Sequence, residues 1–222
     1  MAVPSSEILI ALKNIDFSYS DGRRVFSDLN FTFLDNQHVG LAGPNGCGKT
    51  TLLSIIMGLL HPQRGEVEIF GHVRREEKDF KEVRPQIGFV FQDANDQLFC
   101  PTVADDIAFG PLNLGFSRKE ADQIVAKTLT LLHLEGFERR VTYDLSGGEK
   151  KLVSIGTALA LNPRLLILDE PTNSLDEGTV ARLEQILSDC GLPYIVVSHD
   201  RGFLERTTSL VWTMTEDRLV QE

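Results

Sequence analysis

The segment that decides the fold runs from residue 38 to residue 60 and reads HVGLAGPNGCGKTTLLSIIMGLL. Its first five residues form an apolar run that is typical of a buried strand, and the pattern over residues 48–60 predicts a helix. Between them, the stretch Gly43–Thr50 fits the pattern G-x-x-x-x-G-K-[ST] at every fixed position. A strand, a glycine-rich loop and a helix in this order predict a phosphate-binding loop.

The residue types of this loop suit a phosphate group. Glycines allow backbone N–H groups to turn inward around phosphate oxygens, and the start of the helix adds a partial positive charge. We expect Lys49 to reach the β and γ phosphates and Thr50 to bind Mg²⁺ through its hydroxyl. Cys47 is interpreted as a small filler that points away from the phosphates, with a redox role as the alternative. The predicted nucleotide-binding residues of this segment are Gly43, Pro44, Asn45, Gly46, Cys47, Gly48, Lys49, Thr50 and Thr51.

A second chemical cluster ends the apolar run LLILDE at residues 165–170. A buried strand that carries acids at its carboxyl end places them beside the phosphate site of a parallel sheet. We expect Asp169 to belong to the Mg²⁺ shell, and Glu170 to orient the attacking water or accept its proton. A solvated acidic turn at the end of a strand is the alternative.

Composition and charge limit the function classes. The chain has 222 residues, of which 42% are hydrophobic and 24% charged, as in a globular protein of one large domain or two small ones. Its net charge of −10 disfavours a nucleic acid as the main partner. Three separated cysteines indicate reduced thiols rather than a disulfide scaffold or a zinc site. No secretory signal is predicted, and residues 52–60, the most apolar stretch, are about half of the roughly 20 residues that span a bilayer.

Alternating strand-like and helix-like segments predict an α/β fold with a mainly parallel sheet and crossover helices. A charged stretch, residues 74–84, is expected at the surface, and Asp105 and Asp106 are expected on a solvated helix face. The predicted strands cover residues 8–19 and 24–34, joined by a turn at Asp21 and Gly22, then 66–70, 87–91, 165–168 and 194–197. The predicted helices cover residues 117–134, with Ser117 and Glu120 as a capping box, and residues 146–161.

The stretch Leu145–Glu149 reads LSGGE and precedes Asp169. Together with the phosphate-binding loop, it resembles the signature motif of the ABC-type ATPases, at the spacing that this family uses. Four further elements resemble the family's features in the family's order: the adenine-stacking aromatic at Tyr19, the glutamine loop at Gln92, the loop that crosses to the partner subunit at Ser174–Asp176, and the switch histidine at His199. By position alone, Tyr19, Gln92 and His199 would each also fit an ordinary structural role.

The resemblance implies a fold and a site. The implied fold is a P-loop NTPase core with an N-terminal antiparallel β subdomain, in one domain over residues 1–222 that carries an inserted α-helical subdomain at about residues 93–160. It implies a head-to-tail homodimer or heterodimer with a second ABC ATPase subunit, with ATP and Mg²⁺ at the interface. Because Ser146 and its glycines open a helix, they would offer a second anion site. The implied catalytic residues are Gln92, Glu170 and His199, the Mg²⁺ ligands are Thr50, Gln92 and Asp169, and the further nucleotide-binding residues are Tyr19, Ser146, Gly147, Gly148 and Asp176.

A narrower resemblance lies in residues 91–111, FQDANDQLFCPTVADDIAFGP, which are similar to the cobalt/nickel and energy-coupling-factor branch. Cassettes of that branch drive uptake of transition-metal ions or vitamins through separate integral membrane subunits. In that family, the corresponding segment faces the membrane partner. The resemblance implies an ATPase that is peripheral at the cytoplasmic face of the cell membrane and has no nucleic-acid partner. Two positions depart from the pattern: Glu149, where many members have glutamine, and Leu152, where arginine is common.

Two other functions compete with uptake. A soluble ABC-type ATPase that acts on nucleic acid or the ribosome is disfavoured by the single cassette, the net charge of −10 and residues 91–111. The sequence also has no long coiled-coil insertion of the kind expected there. A nucleotide-binding regulator without hydrolysis is disfavoured by Glu170, the residue that is predicted to activate water.

Overall fold

The computed structural model describes residues 6–215 and 218–221. They form two compact units: the first comprises the described residues up to Pro85 and from Pro193 onward, and the second runs from Gln86 to Leu192. In chain order the strands are β1 (Ile8–Ser18), β2 (Arg24–Leu34), β3 (His38–Ala42), β4 (Arg64–Ile69), β5 (His72–Arg74), β6 (Ile87–Val90), β7 (Leu165–Asp169), β8 (Tyr194–Val197), β9 (Leu210–Met214) and β10 (Leu219–Gln221). The helices are α1 (Lys49–Ile56), α2 (Glu77–Val83), α3 (Val103–Asn113), α4 (Arg118–Leu131), α5 (Gly147–Leu159), α6 (Glu177–Asp189) and α7 (Arg201–Thr207).

The first unit contains an antiparallel sheet with the strand order β2-β1-β4-β5. β1 and β2 form a hairpin in which Phe17 lies opposite Phe26, and the turn is closed by the Tyr19 N–H, which donates to the Arg23 carbonyl (2.9 Å). Buried and exposed residues alternate along the second half of β2, as expected for a sheet with one face on the core. The hairpin and the antiparallel N-terminal region predicted from the sequence are confirmed.

The same unit contains parallel strands that carry the phosphate-binding loop. β3 pairs in parallel with β8 on one side and with β9 on the other, and β10 runs antiparallel to β9. Val39 and Leu41 of β3 are fully buried, because a strand in this position is covered on both faces. Leu41 lies opposite Val197, and the Ser198 N–H donates to the Leu41 carbonyl (3.3 Å). The segments that follow β3 and β8 therefore begin at the same edge of the sheet.

The second unit contains one parallel strand pair. β6 and β7 run side by side, with Ile87 opposite Leu165 and Val90 opposite Leu168. Gly88 leaves room for the side chain of Leu166 on the neighbouring strand, because a Cβ at position 88 would lie 2.5 Å from a side-chain carbon of Leu166. The segments that follow β6 and β7 consequently start from the same edge of this pair.

Three helices, α3 to α5, lie between β6 and β7 in the chain and within the region predicted as a helical subdomain. The capping box of α4 is present as predicted, because Ser117 accepts from the Glu120 N–H and the Glu120 carboxylate accepts from the Ser117 N–H. α5 packs closely on α4: a Cβ on Gly156 would lie 2.6 Å from a side-chain carbon of Leu132. The organisation as a single domain over residues 1–222 stays a prediction. Among the described helices, none combines the length and apolar character needed to cross a membrane.

The expectation that residues 74–84 lie at the surface is wrong for two of them. Glu77–Val83 of this stretch forms α2, and Phe80 and Val83 on one face of the helix are buried. Phe80 packs on the chain just after α1, because a Cβ on Gly58 would lie 2.2 Å from its ring. The spacing of three residues between the two apolar side chains is helical, and the many charges around them hid this signal.

The expectation of a solvated acidic pair on α3 is wrong for Asp106. Its side chain is only 3% exposed. One carboxylate oxygen accepts from the Phe99 N–H (3.0 Å) and the Cys100 N–H (2.9 Å), and the other accepts from the Thr142 hydroxyl (2.8 Å). Asp106 thus ties the loop before α3 to the short 3₁₀ turn that precedes the LSGGE motif. Burial without a cationic partner is tolerated because three donors share the charge.

We predict that Asp106→Ala lowers the free energy of unfolding by about 2–4 kcal/mol, because it leaves three donors without their acceptor. Urea unfolding followed by circular dichroism measures the change. Asp122→Ala is the matched control, because Asp122 is exposed on α4, where it forms an ion pair with Arg118. That control should stay within about 0.5 kcal/mol of the parent protein. Equal losses in the two variants would contradict the structural role of Asp106.

Candidate active site

The phosphate-binding loop leads into α1, whose start has no side-chain cap. Gly48 occupies the N-cap position with a φ of 111°, and a Cβ there would lie 2.7 Å from Val25 and 2.9 Å from Phe26. Glycine satisfies both the backbone angle and the space. The helices α3 to α7 begin instead with a capping side chain, namely Thr102, Ser117, Ser146, Asp176 and Asp200. The N–H groups at the start of α1 are therefore left for an external anion.

Lys49, the first residue of α1, brings a positive charge to the same loop. Its backbone lies in the helix, and its buried ammonium donates to the carbonyls of Gly43 (2.7 Å) and Pro44 (3.1 Å). The ammonium thus holds the two ends of the loop together. A buried cation beside an uncapped helix start fits a phosphate group. The exposed residues Pro44, Asn45 and Gly46 form the outer part of the loop.

Cys47 is the buried member of the loop. A Cβ built on Gly43 would lie 3.0 Å from the Cys47 Sγ, so the thiol packs against the backbone of the loop itself. This position agrees with a filler side chain. Its orientation away from the phosphates stays a prediction.

Tyr19 lies in the β1–β2 turn and contacts the start of α1. Its hydroxyl is 2.8 Å from the Thr51 hydroxyl, and the Arg23 guanidinium lies 4.8 Å from the centre of its ring. The hydroxyl of Thr51 is therefore engaged with Tyr19, which leaves the backbone of Thr51 for a nucleotide. Thr50, the predicted Mg²⁺ ligand, is exposed. The first unit thus brings the predicted adenine platform and the predicted phosphate site to one helix end.

His199 follows β8 and is exposed. Asp200, the next residue, caps α7 by accepting from the Phe203 N–H (3.0 Å). Because β3 and β8 end side by side, the turn that carries His199 starts next to the strand that leads into the phosphate-binding loop. The first unit therefore brings together Tyr19, the loop and the segment of His199.

The second unit brings together Gln92, Asp169 and Glu170. β6 and β7 are neighbours, and Gln92 follows β6 while Asp169 ends β7. Asp169 and Glu170 are each 7% exposed, so the alternative of a solvated acidic turn is wrong. Glu170 has a φ of 44°, a left-handed conformation that non-glycine residues adopt rarely. The chain thus turns sharply at Glu170, directly after the carboxylate of Asp169.

Lys151 is a buried residue next to this cluster that sequence reasoning missed. It lies inside α5, and its ammonium donates to the main-chain carbonyls of Phe91 (3.0 Å) and Gln92 (2.7 Å). Burial lowers the pKa of Lys151, whereas Asp93 and Asp169 act in the opposite direction. A signal was present in the sequence, because Lys151 shares the helical face of the apolar residues that follow in α5.

The LSGGE motif forms the start of α5. The Ser146 hydroxyl accepts from the Glu149 N–H (3.3 Å), and the Glu149 carboxylate accepts from the Ser146 N–H (2.8 Å). The Arg140 guanidinium lies 2.9 Å from the same carboxylate. The Ser146 N–H above all, and Arg140 in addition, hold the pKa of Glu149 below its usual value. Gly147 has open space where a Cβ would be, so an approaching group meets no side chain there.

Gly148 joins this motif to the start of α6. A Cβ on Gly148 would lie 2.9 Å from the Thr179 hydroxyl oxygen. Asp176 accepts from both the N–H (2.9 Å) and the hydroxyl (2.8 Å) of Thr179, and these bonds lower the pKa of Asp176. The second unit thus places Ser146, Gly148 and Asp176 around two neighbouring helix starts.

The predicted Mg²⁺ ligands form a chemically suitable set. Thr50, Gln92 and Asp169 offer only oxygen donors, which Mg²⁺ prefers. No group of three His, Cys, Asp or Glu residues in the described part of the chain could hold a metal by itself. Mg²⁺ needs no such group, because it is usually bound by one or two carboxylates together with water and substrate phosphates. The residues present therefore fit a Mg²⁺ ion that arrives with a nucleotide.

Comparison with known proteins identifies the family. A family model described as ABC transporter matches residues 26–173. The energy-coupling factor transporter ATP-binding protein EcfA of Methanocaldococcus jannaschii is 38% identical over 218 residues, which cover 96% of this chain and 78% of that relative.

Two solved structures are similar over almost the whole chain. The first is cbiO1 from Clostridium perfringens, part of the ABC transporter complex cbiONQ, with a TM-score of 0.89, 30% identity, and coverage of 96% of this chain and 87% of that chain. The second is a dimeric ATP-binding cassette in a post-hydrolysis state, bound to ADP and Pi. It has a TM-score of 0.86, 27% identity, and coverage of 96% and 98%.

We predict that Lys49→Ala weakens ATP binding by about one to two powers of ten, because a charge-assisted contact is worth roughly 1.5–3 kcal/mol. Isothermal titration calorimetry with ATP measures the loss. Lys119→Ala is the control, because Lys119 is exposed on α4, far along the chain from the loop. ATP affinity that is unchanged in Lys49→Ala would contradict the assignment of the phosphate-binding loop.

Proposed function

The chain belongs to the ABC transporter family as an ATP-binding, ATP-hydrolysing subunit, and we propose that it drives uptake of cobalt, nickel or a vitamin. The observation that carries the choice of uptake is the segment of residues 91–111. It resembles the uptake branch and exposes aromatic side chains. Relatives named for energy-coupling factor transport and for the cbiONQ complex support the same choice. They do not favour an action on nucleic acid or the ribosome.

The proposed binding of ATP uses the first unit. The N–H groups of the loop and Lys49 hold the β and γ phosphates, and Tyr19 stacks on the adenine. The open start of α1 supports this role, because no side chain in the described part of the chain caps this helix. Bound Mg²⁺, held by Thr50, Asp169 and Gln92, would neutralise charge on the phosphates.

The proposed hydrolysis depends on Glu170. A water molecule oriented by this carboxylate would attack the γ phosphorus and give a proton to the carboxylate. The bond between the γ phosphorus and the β–γ bridging oxygen would break, and ADP would leave. Because Glu170 is almost completely buried, its charge acts at low dielectric and is little screened. His199 and Gln92 hold the γ phosphate and the water in line.

We propose that the working site needs two subunits. Ser146, Gly147 and Gly148 open α5 with N–H groups and little side-chain bulk, which supports contact with the γ phosphate of a nucleotide held by another copy. Asp176 lies beside them and would contact the partner across the same interface. ATP then joins the two subunits, and hydrolysis releases them. The partner is a second copy of this chain or a related cassette.

The proposed membrane partner docks on aromatic residues of the second unit. Phe99 is 66% exposed and packs edge-on against the half-exposed Phe109, with ring centres 4.8 Å apart. The buried Asp106 holds the backbone of Phe99 in place, because its carboxylate accepts from the Phe99 N–H. An exposed aromatic pair on a rigid support suits an apolar segment of an integral membrane subunit. The chain would then act as a peripheral protein at the cytoplasmic face of the membrane.

We predict that Glu170→Gln keeps ATP affinity but slows hydrolysis by a factor on the order of 10²–10⁴, the usual range for a lost general base. The amide keeps the size of the side chain and loses its charge. The variant should accumulate as an ATP-bound dimer, which size-exclusion chromatography detects, while a phosphate-release assay gives the rate.

Glu135→Gln serves as the control for Glu170→Gln, because Glu135 is exposed and lies outside the site. It should hydrolyse ATP at the parent rate. A Glu170→Gln protein with the parent rate would show that another group activates the water, and His199 would then be tested.

We predict that the variant with both Phe99→Ser and Phe109→Ser sediments at least tenfold less with inverted membrane vesicles stripped of peripheral proteins, prepared from cells that make this protein. The reason is the lost burial of two aromatic rings. Val220→Ser, a change at an exposed apolar residue of the first unit, is the control. ATP hydrolysis without vesicles should stay at the parent rate in both variants. Equal sedimentation of all three proteins would contradict this docking surface.

A further inference from the structure

We infer that Lys151 is a positioning residue for Gln92: it fastens the segment of residues 91–98, here called the glutamine loop, to the helix that begins at the LSGGE motif. This inference rests on the proposed role of Gln92 in hydrolysis. It adds a residue that touches neither nucleotide nor water and acts through the main chain of the loop.

The contacts of Lys151 are the first support. Its side chain is 3% exposed, and two of its N–H groups are used by consecutive carbonyls, those of Phe91 (3.0 Å) and Gln92 (2.7 Å). Removing an ammonium from water is costly unless its donors are satisfied. The carboxylates of Asp93 and Asp169 also favour the charged form. The position of Gln92 is therefore tied to the Lys151 side chain, and α5 holds that side chain.

A second attachment on the same face of α5 holds the other end of the glutamine loop. The Gln97 side-chain oxygen accepts from the Phe91 N–H (3.1 Å), so it closes the loop on itself. Its amide nitrogen donates to the Ser154 carbonyl (2.8 Å) and to the Thr157 hydroxyl (2.7 Å). Residues 151, 154 and 157 follow one another at intervals of three, so each is a neighbour of the next on the helix surface.

The arrangement links two functional segments mechanically. α5 carries Ser146 at its start and Lys151 on its second turn. Because the loop is bonded to α5 at both ends, a rotation of the helix moves the main chain of Gln92 with it. The Gln92 side chain itself is exposed and extends from a fixed backbone. Contact between the LSGGE motif and a nucleotide would thus be transmitted to Gln92 through Lys151.

The test compares Lys151→Met with Lys151→Arg. Methionine fills similar space but leaves both carbonyls without a donor, whereas arginine can still donate to them. We expect Lys151→Met to lower kcat roughly 10–100-fold, as a misplacement of about 1 Å does, with ATP affinity by calorimetry within about twofold of the parent. Lys151→Arg should recover kcat to within a few-fold. Lys119→Met on α4 is the matched control and should match the parent in every measurement.

A double-variant cycle separates this inference from the proposed role of Gln92. We expect Gln92→Ala to lower kcat, and Lys151→Met to lower it little further in the Gln92→Ala background. A parent-like kcat in Gln92→Ala would refute the proposed role of Gln92 and this inference with it. A loss in Gln92→Ala combined with a parent-like kcat in Lys151→Met would refute the inference alone. The inference would also be refuted if the kcat losses of Gln92→Ala and Lys151→Met multiplied in the double variant.

Hydrogen exchange gives a readout that does not depend on hydrolysis. In the protein without nucleotide, Lys151→Met should speed exchange at least tenfold in peptides that cover residues 91–98 and leave peptides of β1 and β2 unchanged. Faster exchange throughout the protein would indicate general destabilisation. In that case the Lys151→Arg protein decides: kcat or loop exchange that arginine does not restore would overturn the inference, and recovery of both would support it.

Discussion

Parallel pairing of β3 with β8, and of β6 with β7, is the constraint on which the rest of the structure depends. Neighbouring parallel strands must end at the same edge, so the segments that follow them start close together. In this way the loop of Gly43–Thr50 and His199 are brought together in the first unit, and Gln92 and Asp169 are brought together in the second. The strand pairing alone brings these residues near one another, without contacts between their side chains.

The first N–H groups of the helices serve two different purposes. α3 to α7 satisfy their first N–H groups with their own hydroxyl or carboxylate side chains, whereas α1 begins at a glycine. The difference arises at single positions: α1 leaves its first N–H groups available for an anion, whereas the capping side chains of α3 to α7 stabilise their helices. Ser146 combines both properties, because it caps α5 and is followed by two glycines. A helix can thus be internally satisfied and still offer an accessible start.

Sequence reasoning reached most of the fold because the decisive signals are local. The apolar runs that became β3, β7 and β8, and the capping box at Ser117, depend on neighbours in the chain. The misses are long-range. Asp106 is buried because the groups that donate to its carboxylate lie in a loop and a turn, one of them 36 residues away. Lys151 bonds to carbonyls about 60 residues before it, and the pattern of its own helix predicts burial but not the partner.

In the proposed two-subunit site, the acidic residue at the end of the LSGGE motif changes the electrostatics of the interface. Glu149 lies in the first turn of α5, where its negative charge opposes the helix dipole that would attract a phosphate. Arg140 compensates from the preceding loop with an ion pair to Glu149, and the Ser146 N–H and Arg140 lower the pKa of Glu149. Attraction for a nucleotide at this point is therefore a small difference between opposing charges. Such a balance responds to ionic strength, so salt would tune how firmly the two subunits close.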